Sequence, residues 1–198
     1  MTDAPFGRVL TAMATAFHDD GSVDLEGTAR IAAHLVDHGH DGVVVSGTTI
    51  AMETYRAAKE WDTVVAVKDA VGDFARGVRL RQLGYAVYSG DDIATLGWLA
   101  HGGCGVVSVL GHVAGDQIRA MIDAWFAGDA AGALETYTRM LPAIDAVMGV
   151  PNYGATTAKA ALQLLGVLDN RNVRSPLVPL DDDEVEALRA GLAASGLL

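Results

Sequence analysis

Five short runs of apolar, mostly β-branched or small residues punctuate the first half of the chain, and the stretches between them carry apolar residues at helical spacing. The runs fall at about 8–17, 42–48, 63–70, 85–91 and 105–111. Each is near-continuous in Val, Ala, Leu or Ile and is bounded by Gly, Asp or Ser, the pattern of a strand buried on both faces. Helical patterns occupy 24–39, 52–61, 73–83 and 92–101. From Ala114 onward the pattern is helical throughout, at 116–127, 130–148, 155–165 and 182–195, with Gly115-Asp116 and Gly128-Asp129 marking two expected helix starts. Strand and helix alternate, which predicts an α/β fold with a parallel sheet. No linker or low-complexity segment interrupts the pattern. Residues 1–198 therefore read as one domain, with βα units over 1–112 and a mainly helical extension over 113–198.

The third run carries the most suggestive chemistry. In Thr63-Val64-Val65-Ala66-Val67-Lys68-Asp69-Ala70 the alternation of a strand puts Val64, Ala66 and Lys68 on one face and Val65, Val67 and Asp69 on the other. Lys68 thus shares a face with small apolar side chains at the carboxyl end of the strand, where α/β proteins build their sites. Desolvation disfavours an ammonium, so such a lysine is expected to titrate low and present a free amine, which attacks a carbonyl to give a Schiff base. The other reading is a lysine that snorkels to water or pairs with Asp69.

Composition narrows the field. Hydrophobic residues make up 51% of the 198 residues and mean hydropathy is +0.26, which fits a packed domain. A net charge of −11 makes nucleic acid and anionic membrane surfaces poor partners. Cys104 stands alone, which excludes an intrachain disulfide and a cysteine metal cluster and points to a reducing, cytoplasmic compartment. The first residues, Met1-Thr2-Asp3-Ala4-Pro5, lack the basic-then-apolar pattern of a signal peptide, and no apolar run reaches the roughly 18 residues of a membrane span. The acidic run 181–184 precedes a helical pattern, where carboxylates suit the helix N-terminus.

Small and polar residues close the other strands. The second run ends Val45-Ser46-Gly47-Thr48-Thr49, the fourth Tyr88-Ser89-Gly90-Asp91-Asp92, and the fifth is Gly105-Val106-Val107-Ser108-Val109-Leu110-Gly111-His112. Hydroxyls and backbone N–H groups there suit a carboxylate or phosphate. Residues 46–49 are not a P-loop, since no Gly-Lys-Ser/Thr follows. Asp91 and Asp92 suit either Mg²⁺ or helix capping. His34 and His38, at i and i+4 with His40 nearby, have chelating spacing but no evident third ligand, and histidines in a last turn also complement the helix dipole. No metal is assigned.

Taken together, these segments resemble the dihydrodipicolinate synthase and N-acetylneuraminate lyase family of Schiff-base aldolases. The resemblance is carried by Gly7–Met13 with Thr15 and Phe17, by 42–49, 64–70, 88–92 and 105–109, by His112-Val113-Ala114, and by Leu188-Arg189 with Gly196-Leu197-Leu198 in the last helix. It implies that Lys68 forms an imine with pyruvate. Thr48 would help bind the pyruvate carboxylate and Thr49 would join a proton relay, with Gly47, Gly90 and the Val107 backbone lining the site. It also implies a (β/α)₈ barrel with a helical C-terminal extension, a homo-oligomer, and no cofactor.

The chain departs from that pattern in one block. Where the family continues its threonine loop with Gly-Glu, Ile50 and Ala51 stand, and the pattern runs directly into the helix before the lysine strand. About three βα units are absent between Thr49 and Met52, and a (β/α)₈ barrel takes ~250 residues. The expected fold is a truncated or contracted barrel-like parallel sheet of about five βα units, with the second and third strands side by side. The absent block holds the family's proton-shuttling tyrosine and the arginine for the second substrate. Tyr55, Tyr85 and Tyr88 are present without a matching position, and Tyr55 reads as a packing residue. Two functions follow as expectations: a pyruvate-dependent lyase resembling 4-hydroxy-tetrahydrodipicolinate synthase, impaired by loss of the tyrosine, or a catalytically silent, barrel-derived scaffold that self-associates.

Overall fold

The computed structural model describes residues 4–44, 52, 55–56 and 65–198. Five parallel strands form one sheet: β1 (Val9–Ala12), β2 (Gly42–Val44), β3 (Ala66–Asp69), β4 (Ala86–Ser89) and β5 (Gly105–Ser108). They lie in the order β2-β1-β5-β4-β3. The pairs β1–β2, β3–β4 and β4–β5 are consecutive in the chain, and the last strand returns to pair with the first, as in a barrel and unlike a doubly wound sheet. The register places Leu10 against Val107, Tyr88 against Gly105 and Lys68 against Tyr88.

Among the described ladders β2 pairs only with β1 and β3 only with β4, so the expected β2–β3 pairing is not among them. These two strands are the edges of the described sheet, and residues 45–51 and 57–64 between them lie outside the described residues. Strands are also shorter than the sequence runs. β1 ends at Ala12 because the Ala14 N–H turns to the His112 ring, 3.1 Å away, instead of continuing the ladder.

Helices follow the strands as α1 (Leu25–Asp37), α2 (Phe74–Gln82), α3 (Thr95–Ala100) and α4 (Gly111–Phe126). The extension adds α5 (Ala130–Met148), α6 (Ala155–Leu164) and α7 (Asp182–Ala194). Met52, Tyr55 and Arg56 of the expected 52–61 helix are helical. Aspartates cap four helix starts: Asp24, Asp73, Asp129 and Asp181 accept from backbone N–H groups of the first turn. The acidic run closes a reciprocal box, with Glu184 N–H on Asp181 at 2.8 Å and Asp181 N–H on Glu184 at 3.0 Å.

The helix expected from Asp116 gains a preceding turn. α4 begins at Gly111, and the non-helical backbone at Ala114 divides that turn from the helix that runs on from Gly115, beside the expected start. The reason is non-local, because Asp92 and the Ser108 hydroxyl satisfy the first backbone N–H groups from across the loop.

The two faces of the sheet differ. Val9 and Val106 face α4 and build the largest apolar cluster with its Ile118 and Ile122, Ile144 of α5 and Leu188 of α7. Val67 and Val87 face α2 and α3, packing with Leu80, Tyr85 and Trp98. Each such buried side chain contributes ~1.5–3 kcal/mol of transfer free energy. The opposite face is lined by Leu10, Ala86, Tyr88 and Val107, flanked by Ala12 and Ala66. No helix among the described residues is long and apolar enough to cross a membrane.

Candidate active site

Strand alternation and register decide which way the key lysine points. Ala66 packs on the small-residue face, so Lys68, two positions on, shares it, while Val67 and Asp69 face the helices. Asp69 is buried and holds Arg76 of α2 in an ion pair, and its other oxygen accepts from the Val71 N–H at 2.8 Å. The reading in which Lys68 pairs with Asp69 is therefore overturned: the carboxylate points through the sheet to a different cation. Lys68 itself is half-buried and makes no hydrogen bond or ion pair among the described residues.

Gly90 gives that side chain its room. The β4 backbone folds back so that the Gly90 N–H donates to the Asp69 carbonyl at 2.7 Å. A β-carbon built on Gly90 meets Lys68 Cε at 2.8 Å, Ala70 Cβ at 2.9 Å and the Asp69 carbonyl oxygen at 3.0 Å. The lysine stem thus runs over the one position of the loop that has no side chain, toward the carboxyl end of the sheet. Val107 lies on the same face, buried beside Leu10 and Tyr88. The structure brings Lys68, Gly90 and Val107 onto one face at one end of the sheet. Gly47, Thr48 and Thr49 lie outside the described residues.

The three tyrosines do not converge on the amine. Tyr88 shares the inner face, but its hydroxyl donates to the Gly7 carbonyl at 2.8 Å and accepts from the Phe6 N–H at 3.3 Å, at the amino end of β1. It plugs the far end of the sheet, and burial pushes its phenol well above the usual range. Tyr55 and Tyr85 pack edge to face on the helical side, with ring centroids 5.9 Å apart, and the Tyr85 hydroxyl donates to the Tyr55 carbonyl at 2.7 Å. Tyr55 is a packing residue, as its position in the sequence predicts.

Polar residues behind the fifth strand hold the rim. The Asp92 carboxylate accepts from the Val109 and Leu110 N–H groups, each at 2.9 Å, and from the Ser108 hydroxyl. It caps the β5–α4 loop instead of its own helix, and burial raises its pKa. His112, which sequence reasoning gave only a place in the resemblance, bridges two loops. Its Nδ1–H donates to the Val109 carbonyl at 2.8 Å, and its Nε2 accepts from the Ala14 N–H at 3.1 Å. Both bonds require the neutral ring, and burial brings its pKa down to about 4. The signal for this clamp is a histidine just past a strand end, which alone does not say which loop it reaches.

A second buried lysine lies apart from this face. Lys159 of α6 donates to the Asn172 carbonyl at 2.6 Å and stands over the Phe17 ring at 4.1 Å. Burial, with Arg174 nearby, lowers its pKa to about 8. It is 2% exposed, so no carbonyl compound reaches it in the folded chain.

Comparison with known proteins matches this picture at both ends of the chain. The model of the Dihydrodipicolinate synthetase family matches residues 5–52 and 49–195, two segments that meet where the sequence loses its block. The 4-hydroxy-tetrahydrodipicolinate synthase of Kineococcus radiotolerans is 33% identical over 291 alignment positions, spanning 98% of this chain and 94% of that one. At least 93 of those 291 positions therefore have no residue of this 198-residue chain opposite them. Among solved structures, the dihydrodipicolinate synthase of Cyanidioschyzon merolae with lysine bound superposes with a TM-score of 0.82 at 25% identity, covering 98% of this chain and 99% of that one. The chloride-inhibited enzyme of Acinetobacter baumannii complexed with pyruvate gives 0.80 at 19% identity, covering 98% and 100%.

Proposed function

The chain belongs to the dihydrodipicolinate synthetase family, and from that membership we propose that it is a pyruvate-dependent lyase in which Lys68 condenses with the pyruvate ketone. The observation that carries this reading is the placement of Lys68, without a carboxylate partner among the described residues, on the small-residue face beside Gly90. The Lys68 amine adds to the ketone carbon, and the resulting carbinolamine loses water to give the imine. The protonated imine withdraws electrons from the methyl carbon, which gives up a proton to become the enamine nucleophile. Condensation of that enamine with aspartate semialdehyde is the reaction of a 4-hydroxy-tetrahydrodipicolinate synthase, in lysine and diaminopimelate biosynthesis. Thr48 binds the pyruvate carboxylate beside Gly47, and Thr49 passes protons.

Two stages of this sequence make different demands. Imine formation needs an accessible amine and solvent-borne protons. The carbon–carbon step needs positioned acid–base groups, each worth roughly 10²–10⁴-fold. Tyr88 bonds at the opposite end of the sheet, Tyr55 and Tyr85 lie behind it, and the Tyr137 hydroxyl is engaged with the Ile93 carbonyl at 2.8 Å. We therefore expect imine formation to persist and condensation to be slow.

Borohydride reduction in the presence of pyruvate, followed by peptide mass spectrometry, tests the proposal. The expected result is one reduced pyruvyl group on Lys68, absent from Lys68→Ala. Folded protein that takes up no pyruvyl group at high pyruvate would favour the silent, self-associating scaffold instead.

A further inference from the structure

The histidine pair of α1 takes no part in the imine chemistry, and its surroundings carry a separate reading. His34 and His38 line a cavity of about 410 Å³ together with Asp116 and Gln117 of α4 and the apolar Leu165 and Leu197. Both rings have their tautomer set by the backbone. His34 Nε2 lies 2.8 Å from the His112 carbonyl, and His38 Nδ1 lies 2.7 Å from the His34 carbonyl. A carbonyl only accepts, so these two nitrogens carry the protons, and in the neutral rings His34 Nδ1 and His38 Nε2 keep bare lone pairs. Neither has a partner among the described residues. Asp116, close enough to act on His34, adds negative charge to the same cavity and pairs with no cation among the described residues.

Two imidazoles with bare lone pairs and a carboxylate thus line one cavity, with the Gln117 amide beside them. We propose that His34 Nδ1 and His38 Nε2 chelate a divalent first-row transition-metal ion of the zinc and nickel type, with Asp116 balancing its charge through bound water. Imidazole nitrogen suits these ions, and each ring already donates its other N–H to a backbone carbonyl, the arrangement that orients metal-binding histidines. The ring centroids lie 4.2 Å apart and tilted by 33°. Two imidazoles on a tetrahedral ion stand roughly 5 Å apart, so the rings open by about 1 Å on binding. No group of three metal-binding side chains is preassembled among the described residues. Water completes the coordination, and the site is an exchangeable one, not a structural zinc centre.

Zinc chloride titrated calorimetrically into the full chain, freed of any histidine tag, tests this. One equivalent is expected to bind at micromolar zinc, with at least about tenfold weaker binding in His38→Ala and a smaller loss in Asp116→Asn. Nitrogen-15 histidine spectra of the unaltered chain give an independent reading that no variant's folding can confuse. Zinc should shift His34 Nδ1 and His38 Nε2 and leave His18 and His101 unmoved. Absence of binding at millimolar zinc, unchanged affinity in folded His38→Ala, or shifts confined to other histidines would overturn the proposal. So would saturation of the cavity by ethylammonium with no effect of zinc.

Discussion

Replacing Gly90 with alanine separates the room that Lys68 needs from the rest of the fold. The backbone at Gly90 is not in the left-handed region, so alanine is tolerated there conformationally and the effect is steric. The new methyl would sit 2.8 Å from Lys68 Cε, 2.9 Å from Ala70 Cβ and 3.0 Å from the Asp69 carbonyl oxygen, against ~3.5–4.0 Å for relaxed carbon contacts. Lysine yields by a change of rotamer, moving its amine by an ångström or so. Ala70 and the Asp69 carbonyl yield less, because the 2.7 Å bond from the Gly90 N–H ties the two strand ends together. Overpacking of this kind costs ~1–3 kcal/mol, offset by ~0.4–1 kcal/mol from the stiffer unfolded chain. The net expectation is a loss of about 1–2 kcal/mol in urea unfolding. Displacing the nucleophile by that distance should slow pyruvate-dependent borohydride labelling by up to about 10²-fold. Labelling at the unaltered rate in folded Gly90→Ala would refute the placement of Lys68 over Gly90.

Removing Arg76 by Arg76→Ala leaves the Asp69 carboxylate buried without its cation, and chemical denaturation should show a loss of ~3–5 kcal/mol. His112 gives a pH signature: its folded pKa of about 4 lies below the ordinary 6.5, so the unfolded state binds the extra proton. Its contribution is fully present above pH 6.5 and is lost as pH falls through 4, about 3 kcal/mol in all. Unfolding curves of the unaltered chain should steepen in that window relative to His112→Gln, and parallel curves would refute the neutral clamp. Asp181→Ala removes the cap of α7 and should cost ~0.5–2 kcal/mol by the same measurement. Peptide mapping of borohydride-treated protein should leave Lys159 unlabelled despite its pKa of about 8, because access and not basicity decides between the two amines.

The sequence made the five strands legible because buried parallel strands are near-continuous runs of Val, Ala and Leu. It placed Lys68 and Asp69 on opposite faces by alternation alone, and the structure keeps them there. Its break after Thr49 falls where the family match divides, at 49–52. What local pattern missed was set by contacts across the chain. The start of α4 depends on Asp92, 19 positions before Gly111 in the sequence. Tyr88 reads as a rim residue from its neighbours Ser89 and Gly90, yet its length carries its hydroxyl to Gly7 at the other end of the sheet. His112 looks like part of a loop and acts as a bridge between two of them. The join between Thr49 and Val64 was expected to bring β2 and β3 together, and the described ladders leave them as the sheet's two edges.

A single amine does the covalent chemistry proposed for this chain, and intact-mass spectrometry of the full chain after pyruvate and borohydride reads it directly. Addition of one reduced pyruvyl group, located on Lys68 and lost in Lys68→Ala, is the expected result. Addition that survives Lys68→Ala, or none at all in protein shown to be folded, would contradict it.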